Sequence, residues 1–222
     1  STDQFVKEIS VMQTFNINDD IVSGFRSWFI NYVKLFQSSD PTIQFGFNIK
    51  KEHSLRVCKE ILNLGSLLGL HLEELCIAET AALFHDIGRF EQYKIYRTFA
   101  DSKSENHAEL SIKILREHRV LDKLERITRD LIIKSILYHN RIQLPENEDD
   151  PVMFFSRLLR DADKLDIFRV VIENYHKSDS ERIAAIGLDL PDAPEISDRV
   201  LDSLLAGSQV NNRDLKTLND AK

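Results

Sequence analysis

A chain of 222 residues, 42% of them hydrophobic and 29% charged, can bury one good core, and no stretch rich in Pro, Gly or Ser divides it. Its net charge of −7 comes from interspersed acidic and basic residues, so no basic stripe offers itself to a nucleic-acid duplex or an anionic membrane, and no apolar run approaches spanning length. Seven glycines, five prolines and abundant Leu and Ile favour an all-α fold. Cys58 and Cys76 stand in apolar helical contexts without Cys-x-x-Cys spacing, as reduced core thiols do, and the first residues carry no basic-then-apolar leader; a soluble cytoplasmic protein is expected.

Residues 1–18 show little pattern. Asp19-Asp20 opens an amphipathic helix through Phe25, Trp28, Phe29, Tyr32 and Phe36, which Ser38-Ser39-Asp40-Pro41 ends. A second helix is expected over residues 48–68 with Gly69 as terminator, and a third over 72–87 with Gly88 supplying a left-handed cap. Residues 89–103 have no clean period and read as a long connection packed over a pocket. Ser104 would cap a helix to His118, and another runs from Leu121 to His139. A polar, acidic loop over 141–150 precedes Pro151, which suits the first turn of a long helix to His176. Beyond Ser178 the chain is more polar, with one or two short helices after Leu190-Pro191-Asp192-Ala193-Pro194. The expected organisation is an N-terminal helical extension over 1–47 packed on the core, a core over 48–177 and a C-terminal helical appendage over 178–222, together a single compact helical bundle.

The chemistry concentrates in a few side chains. His85-Asp86 follows the apolar run Ala81-Ala82-Leu83-Phe84, and four further residues continue the buried stripes of their own helices: His53 with Val57, Ile61 and Leu64; His107 with Leu110 and Ile114; His139 with Ile132 and Ile136; Asp163 with Leu159, Ile167 and Val170. An inward carboxylate is costly unless it is paired or metal-bound, so converging inward His and Asp point to a shared cation. Consecutive helical residues diverge by about 100°, which lets His85 and Asp86 touch one metal from two sides, or two metals. His118 lies about 16 Å along the helix from His107, too far for the same centre. His71 and His176, at helix ends, are explained by exposure and capping.

Taken in order, His53, His85-Asp86 and Asp163 resemble the H...HD...D signature of the HD-domain superfamily of metal-dependent phosphohydrolases. His53-Ser-Leu-Arg-Val is similar to its opening helix, Ala81-Ala-Leu-Phe-His-Asp-Ile-Gly-Arg to its central signature and Asp161-Ala-Asp-Lys-Leu-Asp to its closing one, over roughly residues 48–176. His107-Ala-Glu-Leu-Ser-Ile-Lys-Ile-Leu and Tyr138-His139-Asn140 resemble the binuclear branch, with Asn140 where many relatives carry a second His. No G-Y-P-type motif is present, so cyclic-dinucleotide specificity does not follow.

The resemblance implies an HD-domain-like bundle with His53, His85, Asp86, His107, His139 and Asp163 as metal ligands. Asp163 is taken as the closing ligand, ahead of Asp161 and Asp166, because in similar motifs the final Asp precedes a basic residue; Asp166, one turn on, could orient a ligand or a water. Such a ligand set suits one or two divalent transition metals per chain, with iron or manganese favoured and zinc, cobalt or nickel possible. The implied reaction is cleavage of a phosphomonoester or phosphodiester, of a nucleotide or similar small phosphorylated metabolite, by metal-activated hydroxide. Asp86, Asp163 and Arg89 would be catalytic, and Arg89, Lys164, Gln92 and Arg97 would contact substrate, with Tyr93 and Asp101 behind them. The alternatives are a di-iron oxygenase of the same fold acting on a phosphonate or polyol, and a regulatory domain that binds a nucleotide without turnover. The expected partner is a small phosphorylated substrate, with neither a nucleic-acid duplex nor a membrane.

Overall fold

The computed structural model describes residues 15–176, 190–191, 193–208, 210–211, 214–217 and 219–221, and among these every regular element is helical. In chain order they are α1 (Asp19–Val33), α2 (Pro41–Leu67), α3 (Leu72–Phe84), α4 (Gly88–Tyr96), α5 (His107–Glu117), α6 (Arg126–Tyr138), α7 (Asp150–Tyr175) and α8 (Asp198–Leu205), with 3-10 turns at Asp101–Lys103 and Asn219–Ala221. The expectation of little pattern over 1–14, and of polar chain from Ser178 to residue 189, lies outside the described residues.

Side-chain caps set several starts. Asn18 accepts from the Ile21 amide, Asp40 from Thr42 and Ile43, and Asn106 from Ala108 and Glu109, each satisfying donors that the first helical turn leaves open. Two boundaries differ from expectation for this reason. Asp40-Pro41 starts α2 seven residues earlier than expected, since Pro at the first helical position lacks only an amide that would be unpaired anyway. Asn106, not Ser104, caps α5; the Ser104 hydroxyl instead donates to the Ala100 carbonyl. Gly69, at φ 78°, terminates α2 as its sequence position suggests.

Helix α3 is the centre of the bundle. Every residue from Cys76 to Phe84 is buried, and α1, α2 and α6 pack against it. Ala78, Ala81 and Ala82 keep its surface low enough for that close approach, while Phe84 takes edge contacts from Phe25 and Trp28 of α1. Glu79, buried on α3, is held by a bidentate pair with Arg26 at 2.6 Å for each bond, which compensates the loss of water around the carboxylate. His118 is spent on packing, edge-on to Trp28 and Tyr32.

Residues 89–103 are not a continuous connection. Nine residues form α4, with Phe90 and Gln92 buried. Gly88 is not a left-handed cap either, because it opens α4; a Cβ there would stand 2.4 Å from the His107 carbonyl oxygen and 2.7 Å from the Ser111 amide. Its missing side chain lets the start of α4 touch α5, and its amide donates to Ser111 Oγ at 2.9 Å.

By packing, the chain divides into a unit ending at Asp166 and a second beginning at Ile167. Ile167 is 44% exposed, so the inward stripe expected for Asp163 through Ile167 and Val170 stops at Asp166. In the second unit, Asp220 accepts hydrogen bonds from the backbone amides of Ser197, Lys216 and Thr217 and from the Ser197 hydroxyl. Among the described residues no helix is long and apolar enough to cross a membrane.

Candidate metal centre

The six residues expected to hold metal meet in the first unit. His53 comes from α2, His85 and Asp86 from the turn that ends α3, His107 from the first position of α5, His139 from the end of α6 and Asp163 from α7. The turn matters. Because α3 stops at Phe84, His85 and Asp86 are aimed by a loosened end rather than by helix pitch alone.

Asp86 stands between two sets of groups. Its Oδ2 lies 3.6 Å from His53 Nε2 and 3.7 Å from His85 Nε2, and its Oδ1 lies 3.4 Å from His107 Nε2 and 4.0 Å from His139 Nε2. Asp163 Oδ1 closes the first set at 3.0 Å from His53 Nε2 and 3.6 Å from His85 Nε2. Within the sets, His53 and His85 approach at 3.3 Å and His107 and His139 at 3.0 Å, in each case through Nε2. His53, His85 and Asp163, and again His85, Asp86 and His139, place one donor atom each within 4.8 Å of the others.

The outer ring nitrogens explain this convergence. His85 Nδ1 faces the Ala82 carbonyl at 2.7 Å and His139 Nδ1 faces the Ile136 carbonyl at 2.6 Å. A carbonyl only accepts, so each Nδ1 carries the proton and, in the neutral ring, each Nε2 presents a lone pair inward. His53 Nδ1 is likewise paired with Asp166 at 2.8 Å and His107 Nδ1 with Asp101 at 2.6 Å. Lone pairs facing one another at about 3 Å, beside two carboxylates, repel unless a cation lies among them. The donor set therefore fits a metal, and its outer hydrogen bonds are of the type that orient metal-binding imidazoles.

The electrostatics are consistent. Burial alone would raise the Asp86 pKa, but Lys50, His85, Arg89 and His107 outweigh it and hold the carboxyl well below its usual range. Asp163 is depressed likewise, burial being overcome by the adjoining His53 and His85 rings. Burial, with His85 and His107 nearby, lowers His139 to about 3, and burial also lowers His107, so both rings stand ready as neutral donors. His85 is raised: burial opposes its charge, but Asp86 and Asp163 together prevail.

The other anticipated residues lie at varied distances from this core. Arg89 Nε is 3.4 Å from Asp86 Oδ1, while its Nη1 donates to Gln92, Asp101 and the Phe99 carbonyl. Gln92 is fully buried and donates to Asp101, Ser104 and the Glu105 carbonyl, so it braces the connection that carries Asp101. Arg97 is exposed at the left-handed end of α4, beside Leu35, Gln37 and Ser38. Lys164 is exposed next to Asp163, and Tyr93 stacks on Phe99. Asn140, where a second His is common, donates to Asp101 and Asn106.

Sequence reading missed two cations. Lys50 Nζ donates to Asp86 Oδ2 at 2.8 Å, and Arg56 holds Asp166 through Nε and Nη2 at 2.7 and 2.9 Å. Lys50, His53 and Arg56 recur at steps of three along α2, which is the only signal that could have found them.

Comparison with known proteins finds no match among curated proteins and none among solved structures. Residues 51–168 match the HD domain, more than half of the chain and the segment that supplies all six inward residues. On that match, together with an all-helical bundle that gathers His and Asp groups able to hold a metal, the chain belongs to the HD-domain family.

Proposed function

We propose that the protein is a metal-dependent phosphohydrolase that cleaves a phosphomonoester or phosphodiester bond of a nucleotide or similar small phosphorylated metabolite. The observation that carries this reading is Asp86, which turns one carboxylate oxygen to each of two histidine sets whose rings are fixed from behind. His53, His85, Asp86 and Asp163 would hold one divalent ion, and Asp86, His107 and His139 a second. When bound, such a pair supplies Lewis acidity at a phosphoryl oxygen and lowers the pKa of a water.

The chain's own groups do the rest. Asp101 and Asp166 fix the rings of His107 and His53, Arg89 steadies Asp86, and Gln92 supports both Arg89 and Asp101. Asp163, the most exposed of the six, uses Oδ1 toward His53 and His85 and leaves its other oxygen to orient the attacking water. Lys164 beside it, with Arg89, would neutralise phosphoryl oxygens as the leaving group departs.

The test loads the protein with manganese or iron, measures metal per chain, and assays phosphate release from a panel of nucleoside mono-, di- and triphosphates under argon. One to two ions per chain and release without oxygen are expected, and Asp86→Ala should abolish both. Less than a tenth of an equivalent of metal, or activity that appears only with O₂, would overturn the proposal.

A further inference from the structure

The 141–146 loop and one face of α7 border an open depression of about 870 Å³. Arg141, Arg157 and Arg160 line it, against a single acidic neighbour, Glu146. Arg160 donates to the Ile142 carbonyl at 3.4 Å and Arg141 lies over the Tyr138 ring at 4.6 Å; among the described residues no carboxylate pairs with any of the three. Three guanidiniums around one hollow repel each other, and in a chain of net charge −7 that arrangement is not a by-product of general basicity.

Residue spacing ties the arginines of the hollow to ligands of the centre, of which Asp163 is the most open. Asp163 has 17% of its side chain exposed, against 1–7% for the four histidines and 4% for Asp86. Arg160 precedes Asp163 by one helical turn, about 4.5 Å along the axis, and Arg141 follows His139 by two residues. Arg157, Arg160 and Lys164 fall within about 60° of one another on α7, a cationic stripe roughly 10 Å long that runs past Asp163. Guanidinium forks match phosphate oxygens in pairs, which a lysine cannot do.

We infer that this groove binds a second phosphate of a substrate whose scissile phosphoryl group lies at the metal centre. The substrate class is then small molecules with two or more phosphates, separated or in a chain, in preference to simple monoesters. The scissile end of this inference rests on the phosphohydrolase proposal; the groove does not.

The experiment compares adenosine 5′-monophosphate with adenosine 3′,5′-bisphosphate and adenosine triphosphate on the metal-loaded full chain, at buffered metal concentration. It reads KM where phosphate is released and Kd where none is. At least one polyphosphorylated probe should bind about tenfold or more tighter than the monophosphate. In the double variant Arg157→Ala/Arg160→Ala that advantage should shrink below about threefold with a weaker salt dependence, whereas Arg126→Ala, a control on an arginine 86% exposed, should keep it. No advantage for either probe in the natural protein, or an undiminished advantage in the double variant, overturns the groove. Absence of phosphate release with the binding difference intact would sink the hydrolase reading alone.

Discussion

Lys50 sits where a bound ion would compete with it, since its ammonium holds the same Asp86 oxygen that faces His53 and His85. Without metal, Lys50→Met leaves Asp86 short of a buried partner and should destabilise the protein by roughly 3 kcal/mol. With metal, that loss should largely vanish, because the ion neutralises the carboxylate. Thermal unfolding with and without manganese checks this; equal losses in both states would show that Lys50 is ordinary scaffolding. Asp166→Ala removes the acceptor that fixes His53 Nδ1, so metal affinity should fall about 10–100-fold while the other ligands stay in place. Titration calorimetry gives the answer, and an unchanged affinity would remove Asp166 from the orienting network. In the metal-free protein the same residue carries an acid dependence. Burial would raise its pKa, but His53 and Arg56 bring it below the ordinary value, so its stabilising effect is complete above about pH 4 and is lost as pH falls through its lowered value in the fold.

Among the elements, the meeting of α4 with α5 leaves no room for a side chain at Gly88. Gly88→Ala would push a methyl into the His107 carbonyl and the Ser111 amide, an overpacking of about 1–3 kcal/mol that also displaces His107. Unfolding in urea should show the loss, and the second ion should weaken more than the first; normal stability would mean that the two helices can part without cost. Elements of this kind were hard to read in advance. α4 is nine residues long and buries one large apolar residue, Phe90, together with a polar one, Gln92, so no helical period stands out. The ligand-bearing helices were legible because each candidate stood in register with apolar neighbours, as His139 does with Ile132 and Ile136. Lys50 and Arg56 were not, since charges at helical spacing read as a solvated face until the fold brings Asp86 and Asp166 opposite them. Pro41 was legible as a boundary and ambiguous as to side: the residue that could stop one helix starts the next.

For the molecule as a whole, every side chain of the centre and of its orienting network lies at or before Asp166, within one packing unit. A chain ended after residue 176 should therefore keep its helical signal and its manganese stoichiometry; loss of both would show that the second unit is needed to hold the first. The six inward residues also come from five helices distributed from α2 to α7. An ion that gathers them is a fastener as much as a reagent, because each helix must be docked before the last ligand arrives. Unfolding then has to release the ion, and the melting temperature should climb with free metal, by about 2.7 kcal/mol of added stability at a hundred times the dissociation constant. The same chain stripped by a chelator should open first at the gathered helix ends, where backbone amides near His85, His107 and His139 would exchange with solvent while the α3 interior stays protected.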